Sequence, residues 1–368
     1  MLTRRDFLRA MAIASVAAGA AAPLNALATA PKFKEAGNYD KAGGGRIKCR
    51  LCPRRCELSP GDSGFCRARK NLDGVLYTLG YASPCAVHVD PIEKKPLFHF
   101  MPKSYAFSIA SAGCNLRCKF CQNWEISQVS PEETENYYAP PERLPAMAKE
   151  SGCLSLAYTY SEPTSFYEYM LDTAKAARTA GIKNVYHSNG FINPAPLKEL
   201  CRHMDGANVD LKGFTDKYYG DMCEAELGPV LESLKNIKRS GVWLEITNLT
   251  IPGYNDDPKT VRAMAGWIAS ELGPETPLHF SRFFPLYKLT SVPPTPVETL
   301  VRSRDVAMKA GLEFVYIGNV PGHEGENTYC PKCRKLLVRR SGFSVLEENI
   351  KGGKCYSCGR KVAGVWQE

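Results

Sequence analysis

The sequence predicts an α/β fold in which parallel strands alternate with helices, framed by a cysteine-rich module at either end. Three observations carry this. Between Tyr105 and Val320, β-branched apolar runs alternate with amphipathic windows; several windows open at a proline and close at a glycine; and most of the cysteines fall into three spaced groups. A chain of 368 residues can bury one large core with small satellites. Its 44% hydrophobic and 23% charged residues are those of an ordinary globular protein.

Strands are expected at 106–110, 154–160, 183–187, 207–211, 242–249, 277–283 and 312–317, and helices at 164–180, 229–239, 258–272 and 296–310. Pro163, Pro229, Pro258 and Pro296 start these helices, and Gly181, Gly241, Gly273 and Gly311 end them, as a fixed φ suits a first turn and a positive φ suits an exit. Repeated βα units with short connections imply parallel strands, as a barrel or an open sheet. Residues 29–104 lack the alternation and form a cysteine-rich module, 105–322 form the βα domain, and 323–368 form a second appendage.

The chain begins Thr3-Arg4-Arg5-Asp6-Phe7-Leu8-Arg9, followed by an uncharged alanine-rich stretch ending near Ala26-Leu27-Ala28. This resembles a twin-arginine export signal over residues 1–28, and implies a periplasmic protein that folds and takes up its cofactor before translocation. Once the signal is removed, no membrane span is expected. The net charge of +9 is spread along the chain, so no nucleic-acid partner is expected.

Eleven of the fifteen cysteines are Cys49, Cys52, Cys56 and Cys66; Cys114, Cys118 and Cys121; and Cys330, Cys333, Cys355 and Cys358. Such close spacings suit metal better than disulfides. Four thiolates complete a tetrahedral shell, which makes the outer groups structural in character. The C-terminal knuckles, separated by 21 residues, have the layout of a zinc ribbon, and the N-terminal spacings of two, three and nine fit zinc or a second iron-sulfur cluster. Three thiolates leave a cubane cluster one open iron, which is a catalytic arrangement.

The middle group stands in Gly113-Cys114-Asn115-Leu116-Arg117-Cys118-Lys119-Phe120-Cys121, directly after the first strand of the repeating domain. This C-x3-C-x-aromatic-C segment resembles the signature of the radical S-adenosylmethionine superfamily, whose fold is a partial (β/α)6 barrel of TIM-barrel type. The resemblance implies a [4Fe-4S] cluster on Cys114, Cys118 and Cys121 with Phe120 beside it, S-adenosylmethionine as cofactor, and a low-potential donor of flavodoxin or ferredoxin type. It also implies roles at the later strand ends. Glu162, in Thr159-Tyr160-Ser161-Glu162-Pro163, matches the family's Gly-Gly-Glu-Pro segment on the methionyl ammonium, although Tyr160 and Ser161 replace glycines. Asn189 stands near the ribose position, Asp210 and Lys212 match an Asp-Leu-Lys segment facing the methionyl carboxylate, and Thr247 lies on the fifth strand.

Longer stretches, Asp90 to Phe100, Cys121 to Gln128, His279 to Pro285 and Tyr316 to Val320, resemble the radical enzyme of the AmmeMemoRadiSam system, a relative of pyruvate formate-lyase activating enzymes. That likeness implies Memo-like and AMMECR-like partners and leaves the substrate undefined. Lys212, His279 and Arg282 are the candidate catalytic residues, with His88, Asp90, Glu93, Lys94, Lys95 and His99 as further candidates for the substrate side. The function expected is reductive cleavage of S-adenosylmethionine and hydrogen abstraction. The alternatives are a glycyl-radical activase or a non-catalytic iron-sulfur carrier or zinc-ribbon binding module. Because S-adenosylmethionine is made in the cytoplasm, a cytoplasmic site of action is the alternative to the periplasm.

Overall fold

Every apolar, β-branched run expected as a strand pairs with its neighbour in sequence, and the pairs add up to one sheet. The computed structural model describes residues 33–367; the export segment lies outside the described residues. The sheet runs in chain order from β1 (Ala86–Pro91) and β2 (Tyr105–Ala110) through β3 (Ser155–Tyr158), β4 (Lys183–Ser188), β5 (Gly206–Asp210), β6 (Trp243–Thr250) and β7 (Leu278–Arg282) to β8 (Val315–Gly318). From β2 onward each pair is parallel, and only β1, joined to β2, is antiparallel. β1 and β8 do not pair with each other, so the sheet stays open along one side. The predicted partial barrel is therefore present, with six helical crossovers between seven parallel strands. It also takes in β1, from residues that the sequence pattern groups with the N-terminal module.

The crossovers run through helices α1 (Leu144–Glu150), α2 (Tyr167–Thr179), α3 (Pro194–Cys201), α4 (Asp216–Cys223), α5 (Leu227–Arg239), α6 (Pro258–Glu271) and α7 (Val297–Lys309). Proline opens α3 and α6, where its missing N–H costs nothing, and Asp257 accepts from Thr260 N to cap α6. Each helix turns an apolar stripe to the sheet, as Val230, Leu234 and Ile237 do on α5. Among the described residues, no helix is long and apolar enough to cross a membrane.

The two ends of the barrel are built differently. At the amino ends of the strands, the segment after β1 plugs the interior: Ile92, Leu97 and Phe100 pack with Ala106, Ala157 and Val185. A Cβ on Gly206 would lie 3.0 Å from the Phe100 ring, so this strand position stays bare to admit it. Glu245 is the polar hub of this floor. Its carboxylate accepts from the backbone N–H of Phe98 at 3.0 Å and of His99 at 2.7 Å, from Trp243 Nε1 at 3.0 Å and from His279 Nε2 at 2.7 Å. The C-terminal module seals the floor from below. Arg340 donates to Phe98 O at 2.8 Å, and Phe98, Phe314 and Tyr316 share a small core with Leu337, Val338 and Val362. The N-terminal module, two small antiparallel sheets, covers the opposite end, with Asn193 N donating to Leu51 O at 3.0 Å.

His99 latches the floor to the C-terminal module. Its Nδ1–H donates to Ala363 O at 2.7 Å, and its Nε2 accepts from the Tyr316 hydroxyl, a pattern only the neutral ring can make. Complete burial drives its pKa down to about 4. The unfolded chain therefore binds more protons than the folded one below the usual histidine value, so stability falls as pH drops from about 6.5 to 4. In melting curves taken across that window, the decline of Tm should be shallower for His99→Gln than for the wild-type protein. Equal slopes would exclude the latch.

Candidate active site

The loop after β2 carries Cys114, Cys118 and Cys121 at the carboxyl end of the sheet, and neighbouring elements satisfy its backbone. The last carbonyls of α4, which have no partner within the helix, accept from it: Arg117 N donates to Cys223 O at 2.9 Å and Lys119 N to Met222 O at 3.0 Å. Gly113 N donates to Ile126 O at 2.9 Å. Gly113 itself has φ 105°, and a Cβ there would stand 2.6 Å from Cys66 O, so the loop can begin here only with glycine.

Donors converge on the sulfurs. Leu116 N lies 3.4 Å from Cys114 Sγ, Asn189 Nδ2 lies 3.7 Å from the same sulfur, and Ser127 Oγ lies 3.1 Å from Cys121 Sγ. Burial pushes the Cys114 and Cys121 thiols up, and contact with Cys223 together with burial does the same to Cys118. A bound cation would reverse this and hold them as thiolates. Three thiols on one loop, hydrogen-bonded at their sulfurs and placed at strand ends, fit a [4Fe-4S] cluster with one open iron. Cys223, outside the three spaced groups, was not legible as a neighbour of Cys118.

The strand ends around this loop bring most of the sequence-predicted cofactor residues together. Glu162 caps the short helix Pro163–Phe166; its Oε1 accepts from Thr164 N at 2.9 Å and Ser188 Oγ at 2.8 Å, and its Oε2 accepts from Asn189 N at 2.8 Å. Asn189 Nδ2 donates to Asn115 Oδ1 at 2.9 Å, and Asn115 Nδ2 donates to Phe191 O at 2.7 Å. Asn115 thus ties the cysteine loop to β4, a role its place in the motif did not reveal. Asp210 accepts from His187 Nε2 at 3.0 Å and from Lys212 Nζ at 2.8 Å. Burial opposes both charges, yet each stabilises the other: Asp210 stays well below the usual carboxylate range and Lys212 well above the usual lysine value. Phe120 is buried, with Lys212 Nζ 5.9 Å from its ring centre.

Other predicted residues are placed elsewhere. His279 lies near the amino end of β7, 2% exposed and bonded to Glu245, in the floor rather than among the mouth residues. Glu93 and His99 are buried in the plug beneath it. Thr247 sits midway, donating to Asn208 Oδ1 at 2.9 Å. Arg282 reaches the carboxyl end of β7, where its Nε donates to Thr295 O at 2.8 Å and its guanidinium stands 5.1 Å from the Phe284 ring centre.

Tyr160 accounts for a departure from the family pattern. It has φ 67°, a conformation that favours glycine and costs a larger residue roughly 1–3 kcal/mol. Its hydroxyl donates to Asp90, Lys95 Nζ lies 2.6 Å from the same carboxylate and 4.5 Å from the ring centre, and His88 meets the ring edge-on at 5.5 Å. Asn123 Nδ2 donates to Tyr160 O at 2.7 Å, which joins this cluster to the cysteine loop. Burial lowers Lys95 to about 8, against the pull of Asp90. Lys94 also pairs with Asp90, at 2.8 Å.

The two four-cysteine groups lie at opposite ends. Cys330, Cys333, Cys355 and Cys358 all have their sulfurs within 4.8 Å of one another, as a single tetrahedral ion requires, and they sit under the floor. Cys49, Cys52, Cys56 and Cys66 line a pocket beside the Cys114 loop.

A family model described as the radical SAM superfamily matches residues 108–264. The chain carries a radical SAM domain. An uncharacterized protein of Methanocaldococcus jannaschii is 48% identical over 332 residues, covering 90% of this chain and 99% of that one. Pyruvate formate-lyase 1-activating enzyme of Escherichia coli K12 is 21% identical over 220 residues, 55% of this chain and 89% of that one. A solved domain of a pyruvate-formate lyase-activating enzyme from Bacteroides vulgatus aligns with TM-score 0.40 and 17% identity, over 45% of this chain and 99% of that one. Membership of the radical SAM superfamily supports an enzyme, and its fold implies a [4Fe-4S] cluster and S-adenosylmethionine.

Replacing Asn115 leaves the Phe191 carbonyl and the Asn189 amide buried with one partner fewer each, at a cost of about 1–3 kcal/mol. Asn115→Ala should therefore melt several degrees lower and change the electron paramagnetic resonance lineshape of the reduced, reconstituted protein. An unchanged melt and lineshape would show that Asn115 does not anchor the loop.

Proposed function

We propose that this chain is a radical SAM enzyme that cleaves S-adenosylmethionine reductively at a [4Fe-4S] cluster on Cys114, Cys118 and Cys121, and abstracts hydrogen from a substrate held in the barrel. The observation that carries this is the three-thiol loop at the strand ends, with N–H and O–H donors aimed at its sulfurs. When bound, the cluster supplies the electron that splits S-adenosylmethionine into methionine and a 5'-deoxyadenosyl radical.

The chain's own residues bind, orient and shield. Lys212, kept charged by Asp210, would hold the methionyl carboxylate, and Glu162, Asn189 and Thr247 would contribute to seating the remainder of the cofactor. Asp90, Lys95, Tyr160 and His88 form a polar wall next to the cysteine loop, suited to a polar substrate, with Arg282 across the mouth. The plugged floor keeps water from entering behind the reacting groups.

Within the superfamily we assign the chain to the AmmeMemoRadiSam branch, with Memo-like and AMMECR-like partners and a flavodoxin- or ferredoxin-type donor. The ribbon cysteines are assigned to zinc. Export through the twin-arginine segment would deliver the loaded, folded protein to the periplasm, with action in the cytoplasm before translocation as the other arrangement. A second reading, a glycyl-radical activase acting on a partner protein, draws support from the exposed rings of Trp124, Tyr254 and Phe284 beyond the carboxyl ends of the strands.

Anaerobically reconstituted, dithionite-reduced protein should convert S-adenosylmethionine to methionine and 5'-deoxyadenosine, and Cys118→Ala should bring this to background. No cleavage by a protein with its iron intact would sink the enzyme reading in favour of a non-catalytic carrier or binding module.

A further inference from the structure

The proposed radical chemistry gives no role to the N-terminal thiols. Cys49 ends the strand Arg46–Cys49, Cys52 and Cys56 lie on the turn that follows, and Cys66 precedes the strand Arg69–Leu72. All four side chains nonetheless line one pocket, with Arg54 and Arg69 at its wall. The Arg69 guanidinium is 1% exposed and pairs with Glu168, and its Nε has no hydrogen-bond partner; Arg54 lies 3.4 Å from the Phe65 ring centre. A buried guanidinium and a half-buried one beside four thiols favour the thiolate form of those thiols. Metal binding would supply it.

Which metal follows from the spacing of the sulfurs. A tetrahedral ion with metal–sulfur bonds of about 2.3 Å holds its sulfurs about 3.8 Å apart. The ribbon quartet meets this, with 3.6 Å from Cys330 to Cys358 and 3.7 Å from Cys333 to Cys355. It is the one group among the described residues in which three or more ligand atoms all lie within 4.8 Å of one another. No three of the N-terminal sulfurs close to that separation, although all four line the same pocket. Neither do the three of the Cys114 loop. A cubane places each thiolate on a different iron, so its thiolates stand farther apart than one ion can hold them. The N-terminal quartet thus differs from the ribbon in the way the Cys114 loop does, its sulfurs standing too far apart for one tetrahedral ion.

We propose that Cys49, Cys52, Cys56 and Cys66 hold a second [4Fe-4S] cluster, distinct from the one on the Cys114 loop. All four irons have protein ligands there, so this cluster does not bind S-adenosylmethionine. It abuts the first site: Cys66 O fills the space beside Gly113, Arg54 Nε donates to Asn115 O at 2.7 Å, and Arg117 donates to Phe65 O. The geometry of the quartet stands without the first cluster, which enters only the iron count.

The test is metal and sulfide analysis with Mössbauer spectroscopy on the full chain, reconstituted anaerobically with 57Fe. The wild-type protein should hold about eight iron and about one zinc, and S-adenosylmethionine should perturb half of the iron. Both the Cys114/Cys118/Cys121→Ala variant and the Cys52/Cys56→Ala variant should keep about four iron and the ribbon zinc, the latter serving as the check on folding. About two zinc and about four iron in the wild-type protein, all of that iron lost in the first variant, would overturn the proposal and leave the radical chemistry standing. Iron lost only from the second variant would instead overturn the Cys114 site and keep the N-terminal cluster.

Discussion

An irregular loop that presents three thiols at the strand ends has neither a helix nor a strand ladder to satisfy its backbone, and the rest of the architecture follows from that constraint. The α4 carbonyls supply acceptors for Arg117 and Lys119, and the Asn115–Asn189–Glu162 chain fixes the loop against β3 and β4. The N-terminal module closes it from outside, where only glycine at 113 leaves room for Cys66 O. Each support comes from a different element, so the loop is placed by the assembled barrel rather than by its own residues.

The same strands serve opposite purposes at their two ends. Near their amino ends, Glu245, His279 and Tyr316 build a floor whose polar groups bond to the plug and the C-terminal module. At their carboxyl ends, Glu162, Asn189, Asp210 and Lys212 gather around the cysteine loop. Rigidity below and polar, partly satisfied groups above suit a site that must position a cofactor while excluding water.

The parallel strands were legible because buried strands leave continuous apolar runs, and proline and glycine mark the helix ends between them. The three-cysteine loop was legible because its spacing is local. β1 was hidden: Ala86–Pro91 mixes His88 and Asp90 into a short edge strand, and its pairing with β2 spans the plug. The height of a residue along a strand was also hidden, which is why His279 and Arg282, three residues apart, point to floor and mouth. Tyr160 could be seen as a departure from glycine, but the partner that offsets its strain, Asp90, lies 70 residues away.

A cluster on Cys114, Cys118 and Cys121 would keep one iron open, and that iron would take the amino and carboxylate groups of S-adenosylmethionine. The most direct measurement is electron-nuclear double resonance on the reduced protein with S-adenosylmethionine carrying 15N in the amino group and 17O in the carboxylate. Hyperfine coupling of both nuclei to the cluster, absent in Cys118→Ala, is the predicted result. A reduced cluster that shows neither coupling at saturating S-adenosylmethionine would contradict the account.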